Sequence, residues 1–101
     1  MKKELEKNIK QELLELNFRA SSIGLVYWIE AIRYFERHML TYEMMDIYEF
    51  IAKKYNISVT HAERNMRYAM DTAKKKIQEK YHYYDKIDAK TFLGLIRFKL
   101  I

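Results

Sequence analysis

The chain has 101 residues and a formal net charge of +5; half of its residues are hydrophobic and a third are charged. This length fits a single domain over residues 1–101, and the composition is typical of a folded protein rather than a disordered one. The absence of cysteine excludes disulfides and cysteine-ligated zinc, while the absence of proline and the presence of only two glycines disfavour hairpin-rich sheets.

The first half of the chain contains two predicted helices. A stripe of four apolar side chains at helical spacing predicts a first helix over residues 3–16. Asn17 is expected to end it, because asparagine tolerates the left-handed conformation found at helix C-termini. A second helix is predicted over residues 23–39, and its apolar first half indicates a central position, with Trp28 as a core anchor. The stripe of the first helix consists of Leu5, Ile9, Leu13 and Leu16.

Two further helices are predicted on either side of a short turn. Thr41 is expected to cap a third helix that reaches Tyr55. A fourth helix, ending near Lys80, is opened either by Ser58 or by Thr60, which has a glutamate three residues later in the spacing of a capping box. The sequence alone leaves both residues as candidates for the cap.

The chain ends in a polar-aromatic connection and a last predicted helix. The connection covers residues 81–87, Asp88 serves as the cap, and the helix runs over residues 92–100. These elements together predict an all-α fold, a compact bundle of about five to six helices.

Charge is distributed unevenly along the chain. Residues 1–50 hold seven basic and nine acidic residues, for a net charge of −2, whereas residues 51–101 hold twelve and five, for +7. A strongly basic half favours a polyanionic partner such as a nucleic acid. Basic charge also keeps small proteins soluble, and that alternative stays open here.

Residues 44–80 match the pattern of a helix-turn-helix, in which two helices are joined by a short turn, here Tyr55–Ser58. The motif needs a small residue where the two helices cross, and Ala52 supplies it. Asn56 tolerates the positive φ that the turn needs, and Ile57 is expected to plug the turn with an apolar side chain.

The second helix of this motif, the predicted recognition helix over residues 59–76, would lie in the major groove of duplex DNA. Arg64 and Arg67 lie on adjacent turns and fit the two acceptors on a guanine edge. Glu63 either accepts a hydrogen bond from a cytosine amino group or pairs with Arg67 four residues later. The alternative to a recognition helix is a solvent-exposed helix that carries several such ion pairs. The predicted DNA-binding residues are Ser58, Thr60, His61, Glu63, Arg64, Arg67, Tyr68, Lys74 and Lys75.

These residues carry a family resemblance. The hexamer Ile51–Asn56, with the spacing of Glu63, Arg64 and Arg67, resembles the C-terminal DNA-binding effector domains of the stage-zero sporulation protein A family, response regulators of Firmicutes. The resemblance covers roughly residues 8–100. It implies a compact bundle of about six helices and sequence-specific binding of duplex DNA, with those three side chains facing the bases. Further matching positions are Leu16, Gly24, Tyr27, Glu30, Ala31, Ile32, Ala69 and Ala73.

The chain also departs from the family pattern. Arg19 and Glu49 stand where the family usually has proline, and Tyr68 stands where it has histidine. Asn65 and Lys74 replace apolar residues of the recognition helix, so the DNA sequence that is read is expected to differ. The receiver domain that controls the family's regulators is not part of this sequence, and we expect a stand-alone protein rather than an excised domain.

The partner predictions follow from this resemblance. Duplex DNA is the predicted partner, with RNA polymerase or a related regulator as a further candidate. We expect a cytoplasmic chain with no membrane association, monomeric in solution and pairing on DNA. The alternative function is a receiver-less protein-interaction module that antagonises or modulates a related regulator. No catalytic motif, cofactor motif or metal-ligand spacing is present, so we expect neither an enzyme nor a cofactor nor a bound metal.

Overall fold

Five α-helices form the protein in the computed structural model, which describes residues 2–38 and 41–100. Those residues contain no β-strand, and the all-α prediction is confirmed. No helix among them is both long enough and apolar enough to cross a lipid bilayer. Met39, predicted to end the second helix, lies outside the described residues. The helices are α1 (Lys2–Glu15), α2 (Ile23–His38), α3 (Met44–Tyr55), α4 (Val59–Tyr81) and α5 (Ala89–Leu100).

Helix α2 is the centre of the bundle and packs against each of the other four helices. Its Trp28 side chain is fully buried, which confirms the predicted core anchor. The indole ring meets Phe92 of α5 edge-on, with ring centroids 5.0 Å apart. The indole N–H donates to the backbone carbonyl oxygen of Met66 at 2.8 Å, so Trp28 fixes α4 and α5 against α2 at one point.

Helices α2 and α4 are in close contact at Gly24. A Cβ atom placed on Gly24 would lie 2.5 Å from the Cβ of Ala69 and 2.7 Å from the backbone oxygen of Asn65. Both distances are far below van der Waals contact, and neither neighbour is the flexible end of a side chain. Gly24 is therefore required by the close approach of the two helices.

Gly24→Ala is expected to lower the free energy of unfolding by about 1–3 kcal/mol, because the methyl group must push α2 away from α4. Gly94→Ala is the matched control, since a Cβ there would meet no atom within 4 Å. Alanine at Gly94 is expected to raise the free energy of unfolding by about 0.5–1 kcal/mol through helix propensity. Urea denaturation of both variants measures the two values, and effects of the same sign would contradict this packing.

Helices α1 and α3 end where the sequence predicts, next to asparagines in the left-handed conformation. Asn17 has φ of 72° and Asn56 has φ of 55°, and each ends its helix as expected. The predicted cap of α3 is wrong: the N–H of Thr41 donates to the carbonyl oxygen of His38, so Thr41 belongs to the turn after α2. Helix α3 begins at Met44.

The start of α5 is also earlier than predicted. Asp88 is the cap, as expected, and its Oδ1 accepts from the N–H of Thr91 at 2.8 Å. The helix begins at Ala89, directly after that cap, rather than at Phe92. The hydrogen bond from Thr91 lowers the pKa of Asp88, which therefore stays ionised at the positive end of the helix dipole.

Two buried glutamates fasten the C-terminal ends of α3 and α4. Glu30 of α2 accepts from the hydroxyl of Tyr55 at 2.6 Å and pairs with Lys54. Burial tends to raise the pKa of Glu30, but the hydrogen bonds from Lys54 and Tyr55 outweigh it, and the pKa lies below its ordinary value. The start of the connection to α4 is thus held against α2.

The second glutamate, Glu12 of α1, fastens the far end of α4 in the same way. It accepts from the hydroxyl of Tyr81 at 2.6 Å and from Nζ of Lys80 at 3.0 Å. Lys80 also donates to Glu15 at 2.9 Å. Both ends of α4 are therefore tied, directly or through α3, to the first two helices.

Candidate nucleic-acid interface

The connection between α3 and α4 is three residues long. Asn56 adopts the left-handed conformation, and the N–H of half-buried Ile57 donates back to the carbonyl oxygen of Ala52 at 3.0 Å. Oγ of Ser58 accepts from the N–H of His61 at 3.0 Å, so Ser58 is the cap. The alternative cap, Thr60, is wrong because this residue already lies inside the first turn of α4.

Helix α4 has one buried face and one exposed face, as its periodicity predicts. The buried side chains are Ala62, Met66, Ala69, Met70, Ala73 and Ile77. Of the predicted DNA-binding residues, Ser58, Thr60, His61, Arg64, Arg67, Tyr68, Lys74 and Lys75 are exposed, and Glu63 is half-buried. The structure thus brings Ser58 to Tyr68 together within three turns, while Lys74 and Lys75 lie roughly 9–10 Å beyond Tyr68 along the helix axis.

Arg67 is held by Glu63, one of the two roles predicted for that carboxylate. Its Nε donates to Oε2 of Glu63 at 2.9 Å. The two terminal amino groups of the guanidinium are not held by this bond and remain available as a pair of parallel donors, which is the geometry that a guanine edge requires. Glu63 can therefore orient Arg67 while the two terminal amino groups of the guanidinium stay free.

Other cations of α4 are unengaged. Arg64 and Lys74–Lys76 form no ion pair with any residue that the structure describes. Lys80, by contrast, is committed to Glu12 and Glu15. The basic side chains of α4 without an ion pair therefore lie on its exposed face between Arg64 and Lys76, and its last turn contributes none.

Two grooves flank this exposed face, and the sequence reasoning anticipated neither. The first, of about 190 Å³, lies beside the connection between α1 and α2 and is lined by Arg19, Ser22, Asn65, Tyr68, Ala69 and Thr72. The second, of about 270 Å³, lies beside the connection between α4 and α5 and is lined by Glu63, Arg67, Met70, Asp71, Lys74, Lys86, Ile87, Asp88 and Ala89. Arg19 and Lys86 sit in irregular connections, where periodicity gives no signal.

Within the described part of the chain, no three His, Asp or Glu side chains lie close enough together to hold a metal ion. Comparisons of the chain with protein-family models, with curated proteins and with solved structures found no match.

Proposed function

We propose that this chain is a sequence-specific duplex-DNA-binding protein, a cytoplasmic transcriptional regulator related to the effector domains of sporulation regulators. In this proposal α3 and α4 act as a helix-turn-helix, and α4 lies in the major groove. The observation that carries the proposal is the exposed face of α4, where Arg64 and Arg67 project on adjacent turns opposite a fully apolar face.

The capping geometry supports the same proposal. Directly after the cap Ser58, the side chains of Thr60 and His61 are exposed, and in helix-turn-helix proteins it is the N-terminal part of the recognition helix that contacts bases. The hydrogen bonds to Glu30 and Glu12 fasten both ends of this helix to the bundle, and a functional surface needs such support from its scaffold. Titration of the purified chain onto fluorescent duplex DNA tests the proposal. We expect the affinity to fall steeply as the salt concentration rises, and we expect a few unlabelled duplex sequences to compete far better than others.

The lysines at positions 74–76 are expected to contact phosphates rather than bases. Changing all three to glutamine should weaken binding to every duplex by a similar factor and reduce the slope of log K against log salt by roughly 0.9 for each phosphate that is no longer neutralised. The control variant removes three exposed charges elsewhere, at Lys7, Lys10 and Arg37. A slope equal to that of the parent would place the three lysines in solvent, away from DNA.

Two copies are expected to pair on DNA and not in free solution. A single reading module buries only about 600–1,000 Å² of surface, so regulation of specific sites needs a second copy on a neighbouring half-site. Sedimentation should show a monomer at micromolar concentration, while a two-site duplex should bind more tightly per site than a one-site duplex. A tight dimer without DNA, or equal affinity per site, would contradict this.

A different surface favours the second candidate function, a module that binds a related regulator. Phe98 of α5 is 88% exposed and lies beside half-buried Leu95 and Tyr81 in a groove of about 220 Å³. Titration with the purified effector domain of such a regulator discriminates the two functions. Binding that Phe98→Ser abolishes and Arg64→Ala leaves intact, together with no affinity for duplex DNA, would favour the second.

A further inference from the structure

The groove between α4 and the α1–α2 connection has a lining suited to one kind of ligand group. Arg19 is exposed at its edge and forms no ion pair with any described residue. Ser22 and Tyr68 bring hydroxyl groups, and Tyr68 is 54% exposed. The amide nitrogen of Asn65 uses one N–H on the carbonyl oxygen of His61, at 2.9 Å, and keeps the second.

Among the described residues no carboxylate lines this groove, and this distinguishes it from the groove on the other side of α4. The lining of that groove includes three basic side chains, Arg67, Lys74 and Lys86, and three acidic ones, so its formal charges cancel. The acidic residues of that second groove are Glu63, Asp71 and Asp88. A cation among neutral hydrogen-bond donors, without a competing anion, is the arrangement that binds a phosphate oxygen.

The close approach at Gly24 explains why the groove lies beside α4. Because α2 touches α4 at Asn65 and Ala69, the residues just before α2 are carried to the border of the exposed face. Oγ of Ser22 accepts from the N–H of Gly24 at 3.1 Å, which fixes the end of the connection at this place. The position of Arg19 relative to α4 is thus set by the packing of the core.

The dimensions agree with a duplex docked on α4. A helix with its side chains is about 10–12 Å across and the major groove is about 12 Å wide, so the phosphates of the two strands border an inserted helix on both sides. Arg19 lies at one such border. It is four residues before the start of α2 and is not part of the helix-turn-helix.

We propose that Arg19, with the hydroxyl of Tyr68 and the amide of Asn65, binds a backbone phosphate of the DNA strand that borders α4 on this side. The inference rests on the proposed function, since it needs α4 in the major groove. Arg19 adds a contact from outside the helix-turn-helix, and this phosphate contact fixes the register of the protein on the duplex and carries no base preference.

Arg19→Gln tests this with Arg37→Gln as the matched control, because both arginines are exposed and Arg37 lines neither groove. For Arg19→Gln we expect the salt slope to fall by roughly 0.9, so that the parent loses about three- to fourfold more affinity than the variant between 50 and 200 mM salt. The ranking of duplex sequences and the melting temperature should stay unchanged. Arg37→Gln should keep the parent's slope.

Duplexes with one neutral methylphosphonate at each position in turn locate the contact. Neutralising one phosphate that borders the recognised bases should weaken binding of the parent. The same methylphosphonate should not weaken binding of the Arg19→Gln variant, which already lacks this contact. A parent that binds no duplex specifically would overturn the proposed function together with the inference. Specific binding by the parent with an unchanged slope and phosphate profile in Arg19→Gln, or a relaxed base preference, would overturn the inference alone.

Discussion

Arg64→Ala and Arg67→Ala are each expected to weaken binding to the preferred duplex by about 1–3 kcal/mol, or roughly 5- to 150-fold, and to relax base preference at one position. Arg64 projects from the exposed face without an ion pair among the described residues, and Arg67 keeps its two terminal amino groups free while Glu63 holds its Nε. Binding to unrelated duplexes should change much less. Fluorescence titrations with the preferred and a shuffled duplex measure both quantities.

The two arginines differ in one testable respect. Glu63→Gln removes the charge that orients Arg67, and it should weaken specific binding less than Arg67→Ala but at the same base position. Arg37→Ala is the control. This exposed arginine lies at the end of α2, in a groove lined by residues of α1 and α2 and by none of α4. If Arg64→Ala and Arg67→Ala both bound selected and shuffled DNA as the parent does, α4 would not be the helix that reads the DNA sequence.

Trp28→Ala is expected to lower the free energy of unfolding by about 3–5 kcal/mol, a large part of the stability of a domain of this size. The substitution opens a cavity where α2, α4 and α5 meet, and it removes both the edge-on packing with Phe92 and the hydrogen bond to the carbonyl of Met66. Because Trp28 fixes α4 to the core, DNA binding should fall with the folded fraction.

Urea denaturation followed by circular dichroism measures this destabilisation. Val26→Ala on the same helix is the control: its side chain is partly exposed, and the expected change is within about 0.5 kcal/mol. Equal stability of the two variants would mean that Trp28 does not hold the bundle together.

Local signals let much of the fold be predicted from the sequence. The stripes of α1 and α4 arise from one-sided burial, which leaves a 3.6-residue period in the sequence, whereas the apolar first half of α2 arises from packing on several sides. Asn17 and Asn56 end their helices because their side chains tolerate positive φ. The start of α3 was misplaced because Thr41 and Glu43 both have polar side chains that can precede a helix. Glu43 is the cap: its N–H donates to Oδ2 of Asp46 at 3.0 Å, and its carbonyl oxygen accepts from the N–H of Asp46.

Contacts between distant residues left no such signal. Glu12 meets Lys80 and Tyr81 from the opposite end of the chain, and nothing in the local pattern distinguishes this buried glutamate from an exposed one. The outward face of α4 was predictable because it depends on one helix alone. The groove at Arg19 was not, because it depends on how closely α2 approaches α4 at Gly24.

Selection from a random duplex-DNA library with the purified chain tests the central claim, that α4 reads a DNA sequence. We expect enrichment of one short motif containing guanines, and a parallel selection with Arg64→Ala should lose the preference at one of those positions. Recovery of no motif by the folded parent chain, or the same motif with undiminished preference from the variant, would contradict the claim.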